Sequence, residues 1–312
     1  MDGEKSSMRF AVIGAGGIGG YFGAGLSRAG HDVRLFARGK HLEAIRSRGL
    51  EVREPEGTWI AKPAATSDPG ELGPVDVVLV SVKSYSLAEV TGIVRGLAEG
   101  GAIVLPLLNG VTAFDELAAA GVPKRNIVPG LAVISVDKSG PGVVTRRSDF
   151  RSIVLGECGG GPSERADRIA AALRQTGADV RVSEDIGLAL WTKFLFLSTI
   201  AAACGLARAP IGAVREARYG SLLLERALRE TAAIARRRGI ALPEGEEERI
   251  LPRIAALAGG LKPSFLLDLE RGGPNELDVL SGAIAKFGRE CGVETPVHDA
   301  AVAAFSAVRT GA

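Results

Sequence analysis

The stretch Phe10-Ala-Val-Ile-Gly-Ala-Gly-Gly-Ile-Gly-Gly-Tyr-Phe-Gly23 places a cluster of glycines directly after an apolar run. Within Gly14-Ala15-Gly16-Gly17-Ile18-Gly19, the residues Gly14, Gly16 and Gly19 have the G-x-G-x-x-G spacing. Arg9 to Ile13 reads as a short buried strand, and Tyr21, Phe22, Ala24 and Leu26 continue with helical spacing. A strand, a glycine turn and a helix in this order form the context in which that spacing binds a dinucleotide. The first glycine allows the tight turn, the second a close approach to pyrophosphate, and the third close packing of helix on strand. The helix start then offers N–H groups and a partial positive charge to the phosphates. The alternative is a glycine-rich turn that binds nothing.

Outward from this turn, strands and helices alternate. Strands are expected at Arg9–Gly14, Asp32–Ala37, Val75–Val82, Ala102–Leu107, Asn126–Val133, Arg151–Gly156 and near Ala178–Ser183. Runs such as Val75-Asp-Val-Val-Leu-Val-Ser-Val82 are nearly continuous and β-branched, as in strands covered on both faces. Helical patterns lie between them, and Gly159-Gly-Gly-Pro162 reads as a loop within the same domain. The pattern predicts an α/β, Rossmann-like doubly wound N-terminal domain. From Asp185 strand signals stop and helical patterns follow one another, so the C-terminal domain is expected to be all-α. The expected boundaries are residues 8–185 for an NADP-binding domain and 186–312 for a helical substrate and catalytic domain. The active site is expected in the cleft between them.

The chain of 312 residues, with 46% hydrophobic and 24% charged residues, suits a soluble protein of about two domains. A net charge of +2 without a lysine-arginine block argues against a nucleic-acid partner, and Arg236-Arg237-Arg238 reads as the last turn of a helix. Cys158, Cys204 and Cys291 are far apart and odd in number, which suggests reduced thiols in the cytoplasm and no zinc site. His31, His41 and His298 share no metal-like spacing and read as surface or capping residues, so no metal is expected. The start of the chain is polar, and the apolar run Phe194–Ala207 is shorter than the roughly 20 residues of a membrane span. It reads as a buried helix, with no membrane partner.

At the end of the second strand an NAD-binding fold carries an acid for the ribose 2′-hydroxyl. Here Ala37 stands at that place and Arg38 follows. A guanidinium suits a 2′-phosphate, which favours NADPH over NADH; the alternative is an arginine that ends a strand. Hydride transfer to a carbonyl also needs a proton donor. Lys193 is the only charged residue between Asp185 and Arg208, and a lone lysine on an apolar helix is costly unless it is paired or faces a cleft. The alternative is a snorkelling surface lysine.

An ordered series of motifs resembles the ketopantoate reductase (2-dehydropantoate 2-reductase) family from Arg9 to about Val308. The series comprises the glycine turn, Arg38, Val80-Ser-Val-Lys83, Leu107-Leu-Asn109-Gly-Val, Leu190-Trp-Thr-Lys193-Phe, Lys262-Pro-Ser264 and Asn275-Glu276. The resemblance implies an NADPH-dependent reductase of a 2-oxo acid, ketopantoate in pantothenate biosynthesis. It implies that Arg38 and Lys83 contact the adenosine end of the cofactor and that Asn109 sits between nicotinamide ribose and substrate. Lys193 would donate the proton, Ser264 would bind the substrate carboxylate, and Glu276 would fix Lys193 and the cofactor ribose. A carboxylate near the lysine would keep it charged. From the residues alone, a helix-start serine is as readily a cap, and a glutamate a surface group.

The chain departs from the family where asparagines are expected after the catalytic lysine. Those positions read Leu197, Ala201 and approximately Ile211. A site without such donors loses discrimination for a substrate hydroxyl, so a less polar 2-oxo acid or other carbonyl compound is the alternative substrate. A non-catalytic NADPH sensor is the alternative from another class, although a sensor needs neither Lys193 nor Glu276. An opine- or imine-type dehydrogenase leaves Lys193 and Ser264 unmotivated. Helical C-terminal domains can form homodimers, but no apolar stripe here demands one.

Overall fold

In the computed structural model, which describes residues 7–309, the apolar run after Met8 forms β1 (Arg9–Ile13) and the glycine cluster opens α1 (Gly17–Arg28). The chain continues through β2 (Asp32–Phe36), α2 (Gly39–Arg48), β3 (Leu50–Glu54), β4 (Gly57–Ala61), β5 (Ala64–Thr66), β6 (Val77–Val80), α3 (Leu87–Glu99) and β7 (Ile103–Pro106). After α4 (Ala113–Ala119) come β8 (Gly130–Gly140), β9 (Val143–Leu155), α5 (Glu164–Arg174) and β10 (Asp179–Val182). Seven helices follow: α6 (Ile186–Ala207), α7 (Ile211–Glu216), α8 (Gly220–Arg237), α9 (Glu246–Ala255), α10 (Ser264–Glu270), α11 (Ser281–Cys291) and α12 (Pro296–Arg309). Two compact units result. One holds the residues up to Leu108 with Ala113–Ile186, the other Asn109–Thr112 with the residues from Gly187 onward.

The first unit is built on a parallel sheet of order β5-β2-β1-β6-β7. Alternate residues of β1 enter different cores: Phe10 and Val12 join one cluster, Ala11 and Ile13 the other. That two-sided burial is why the strand reads as an unbroken apolar run.

A second sheet, β10-β9-β3-β4 with β8 paired to β9, stands beside the parallel one within the expected α/β domain. The strand expected at Asn126–Val133 is instead Gly130–Gly140, antiparallel to β9 in this second sheet. The strand expected at Arg151–Gly156 is the end of the longer β9, and β10 pairs with it in parallel. The antiparallel pair β3–β4 was not expected at all. In β3, Leu50 and Val52 are buried while Glu51 and Arg53 face outward, a period-two pattern diluted by charge.

This second sheet also accounts for the glycines that the dinucleotide spacing leaves over. A Cβ on Gly17 would lie 2.5 Å from the Val136 carbonyl oxygen of β8, and one on Gly20 would lie 2.9 Å from Val144 of β9. The hairpin therefore packs directly on the backbone of α1.

In the second unit, Phe194, Leu195, Ala201 and Cys204 of α6 are buried with Leu228, Ile254, Phe265 and Phe305. By length and composition α6 could cross a membrane, and it contains the apolar run expected to form a buried helix. Helix α10 starts at Ser264, as the reading of a helix-start serine implies, although its extent was not foreseen. The cations Arg236 and Arg237 close α8, as the dipole favours.

The histidines are not surface residues. His31, His41 and His298 are 8%, 9% and 0% exposed. His298 shows why burial is tolerated: Nδ1 lies 3.1 Å from the Ser281 hydroxyl, and Nε2 lies 3.1 Å from the Ala227 carbonyl and 3.2 Å from the Thr231 hydroxyl. The Glu230 carboxylate accepts from the backbone N–H groups of Val297 and His298, capping the start of α12. Burial pushes the imidazole down to about 4. The unfolded chain takes up a proton near pH 6.5 and the native one does not. The contribution of His298 to stability is thus complete above pH 6.5 and is lost as pH falls toward 4, by about 3 kcal/mol in total. Urea unfolding of the native protein and of His298→Gln across this window should show that loss only in the native protein.

Candidate active site

The glycine turn is shaped by the neighbouring strand end. Gly14 adopts φ +101°, and a Cβ there would fall 2.7 Å from the Val82 backbone nitrogen. At Gly19 a Cβ would sit 2.1 Å from the Ser81 hydroxyl and 2.2 Å from the Gly14 carbonyl. Ser81, directly after β6, donates its hydroxyl to that carbonyl at 3.0 Å. Gly16 differs: it is the N-cap of α1, makes no side-chain cap, and a Cβ there would meet nothing within 4 Å. The turn thus leaves an uncapped helix start beneath open space. That arrangement fits a pyrophosphate, with Ala15 to Ile18 around the N–H groups.

Arg38 and Lys83 follow the C-terminal ends of β2 and β6, the strands on either side of β1. This is the edge of a parallel sheet where ligands bind. Arg38 is exposed, lies 5.5 Å above the Phe36 ring and pairs with Glu89 of α3 at 3.2 Å. Ala37 is buried and its N–H donates to the Thr66 carbonyl, so no acid occupies the place of the ribose ligand. Lys83 is half-buried just before a short helical turn at Ser84–Ser86.

In the second unit the tertiary structure joins three residues far apart in sequence. The Lys193 ammonium donates to the Asn109 side-chain carbonyl at 3.1 Å. The Asn109 amide nitrogen in turn donates to the Glu276 carboxylate at 3.1 Å. Asn109 stands on a tight turn, since Gly110 has φ +89° and a Cβ there would lie 2.9 Å from the Val279 carbonyl. Glu276 is buried, and the Asn275 side chain before it accepts the Leu277 N–H at 3.1 Å. Protein packed around the ammonium lowers Lys193 to about 8, and the charge of Glu276 opposes the shift. A lysine so tuned is charged at neutral pH yet gives up its proton readily.

Ser264 is exposed at the first position of α10, where Pro263 is the N-cap and the serine makes no capping bond. No hydrogen bond among the described residues joins it to Lys193, Asn109 or Glu276. One turn beyond Lys193, Leu197 is half-buried, whereas Ala201 and Ile211 are in the core. Sequence reasoning missed Ser81 and His41, both of which hold the glycine turn. Ser81 had a signal, as the polar residue that ends an apolar strand beside that turn.

Models of two domains cover most of the chain: ketopantoate reductase PanE/ApbA over residues 10–160 and its C-terminal domain over residues 185–309. The chain is 32% identical to a 2-dehydropantoate 2-reductase of Halobacterium salinarum, over 93% of this chain and 95% of that protein. It is 30% identical to the uncharacterized oxidoreductase YkpB of Bacillus subtilis, over 93% and 95% of the two chains. The crystal structure of a PanE/ApbA family ketopantoate reductase from Ralstonia eutropha matches with a TM-score of 0.88 at 28% identity, covering 96% of this chain and 98% of that one. A parallel-sheet domain with an open glycine turn, a helical domain carrying the Lys193–Asn109–Glu276 chain, and matches along nearly the whole sequence agree: the protein belongs to the ketopantoate reductase family of oxidoreductases.

Proposed function

We propose that the protein reduces a 2-oxo acid to the 2-hydroxy acid with NADPH, and that 2-dehydropantoate is the substrate and pantoate the product. The observation that carries this reading is the hydrogen-bonded chain Lys193–Asn109–Glu276 with its lowered lysine. Residues 8–185 would carry the cofactor, and residues 186–312 the substrate and the proton donor. Asn109 would serve both cofactor and substrate, and Glu276 would also hold the cofactor ribose. When bound, the nicotinamide supplies the hydride that the carbonyl carbon accepts. Lys193 protonates the carbonyl oxygen as charge develops there, and Asn109 keeps the ammonium oriented. Glu276 holds the proton on the lysine through its charge. Ser264, exposed and uncommitted to a cap, is suited to the substrate carboxylate. Three unpaired thiols and a balanced net charge support a cytoplasmic enzyme acting on a small molecule.

Leu197 favours a second reading. It leaves an apolar, partly accessible side chain one turn from Lys193, so a less polar 2-oxo acid is the competing substrate. Turnover of a panel of 2-oxo acids with NADPH separates the two. Tight NADPH binding without any turnover would instead mark a sensor. If the natural substrate is the less polar one, Leu197→Asn should raise kcat/KM for ketopantoate by about tenfold, the worth of one added hydrogen bond. Ala201 is omitted from this test because an amide there would enter the core.

Arg38 and the missing acid support NADPH over NADH. Arg38→Ala should weaken NADPH binding by about 1.5–3 kcal/mol and leave NADH nearly unchanged. Equal losses for both cofactors in a titration would remove Arg38 from 2′-phosphate recognition.

For Lys193→Ala, kcat should fall by about 10²–10⁴ while NADPH affinity changes little. The rate of reduction in the native enzyme should fall as pH rises past about 8, where the lysine loses its proton. Removing the carboxylate in Glu276→Gln lowers the lysine further and should move that limb to lower pH. The two substitutions should not be additive in kcat. An active Lys193→Ala enzyme would end the assignment.

A further inference from the structure

The glycine turn has a support that is not part of the dinucleotide spacing. His41, in the first turn of α2, reaches back with Nε2 to 2.7 Å from the Ala15 carbonyl oxygen. Its Nδ1 takes the Gly142 backbone N–H at 2.9 Å. A backbone N–H can only donate and a carbonyl can only accept, so both contacts require one tautomer: neutral, with the proton on Nε2. The ring is 9% exposed, and its burial holds the imidazole below its ordinary value, in agreement with that form.

The contact with Ala15 bears on binding because of peptide planarity. The Ala15 carbonyl and the Gly16 N–H belong to one rigid unit, so fixing the first fixes the direction of the second. Gly16 is the position under open space at the start of α1. The Gly142 side is secured in other ways. Arg48 donates to the Pro141 carbonyl at 2.6 Å, the Glu51 N–H donates to the Gly142 carbonyl at 2.9 Å, and a Cβ on Gly142 would lie 2.8 Å from the Ala44 Cβ. His41 also stands three residues beyond Arg38, the N-cap of α2. One imidazole thus ties the turn for the pyrophosphate to the helix whose start carries the group for the adenosine end.

We propose that His41 is a positioning residue for the cofactor, holding the Ala15–Gly16 peptide in the orientation that presents its N–H to the pyrophosphate. The proposal rests on the reading of the glycine turn as a dinucleotide site. It concerns a part of the cofactor common to NADPH and NADH, unlike the role of Arg38.

Two half-substitutions separate this role from simple stabilisation. A glutamine amide reaches the place of Nε2 and can still donate to Ala15, whereas an asparagine reaches only the place of Nδ1 and can still accept from Gly142. Dissociation constants of NADPH and NADH, measured by fluorescence titration without substrate, are compared with melting temperatures. His41→Asn should weaken both cofactors alike, by about fivefold to tenfold, the scale of one lost buried hydrogen bond. His41→Gln should stay within about twofold of the native affinity, although both variants lose one bond and melt earlier. Native affinity in His41→Asn, or equal weakening in both variants in step with their melting temperatures, would overturn the proposal. A native protein that binds neither dinucleotide would overturn the cofactor reading, and this proposal with it.

Discussion

The first unit depends on how closely other backbone can approach the start of α1. On one side, Gly14 and Gly19 let the turn settle against Ser81 and Val82 at the end of β6. On another, Gly17 and Gly20 let the Val136 backbone of β8 and the Val144 side chain of β9 lie directly on the helix. A methyl group at Gly17 or Gly19 would overlap fixed backbone, which cannot move aside as a flexible side chain can. The parallel sheet and the second sheet are therefore both registered against one bare helical turn. That same bareness leaves the N–H groups at the helix start available to an anion.

The second unit answers a different constraint, the cost of a charge away from water. Lys193 lies on a helix that is otherwise apolar for most of its length, and burial alone would drive its ammonium toward neutrality. The charge of the buried Glu276 limits that shift, and the Asn109 amide bonds to both groups. An amide donates at one end and accepts at the other, so it can join a cation to an anion while fixing both. The outcome is a lysine poised near physiological pH, set by burial on one side and the carboxylate's charge on the other.

Several polar groups buried elsewhere are matched by partners. His298 is held at both ring nitrogens, and Glu230 spends its charge on the start of α12. Arg146, fully buried in β9, is matched by Glu54 and by Glu56, with Tyr21 donating to Glu54 at 2.8 Å. These residues look like surface groups in a linear reading, and packing makes them internal.

The residues by themselves determined the parallel sheet, because strands covered on both faces must be apolar throughout, as Val77–Val80 is. They also determined the glycine turn, the missing acid at Ala37, and the anomaly of a lone Lys193, since each departs locally from what chemistry expects. Only the tertiary structure decided that β8, β9 and β10, legible in part as strands, join the unforeseen β3 and β4 in a second sheet, because that partition depends on pairing between segments distant in sequence. Only it decided that His41 and His298 are internal, because burial depends on elements distant in sequence. It also placed Ala201 and Ile211 in the core, where their apolar character needs no reference to substrate. Above all, it brought Asn109 to Lys193 and Glu276 across 84 and 167 residues of chain. No local pattern encodes such a meeting: the amide, the lysine and the carboxylate are each ordinary until folding removes water from among them and makes every charge depend on its neighbours.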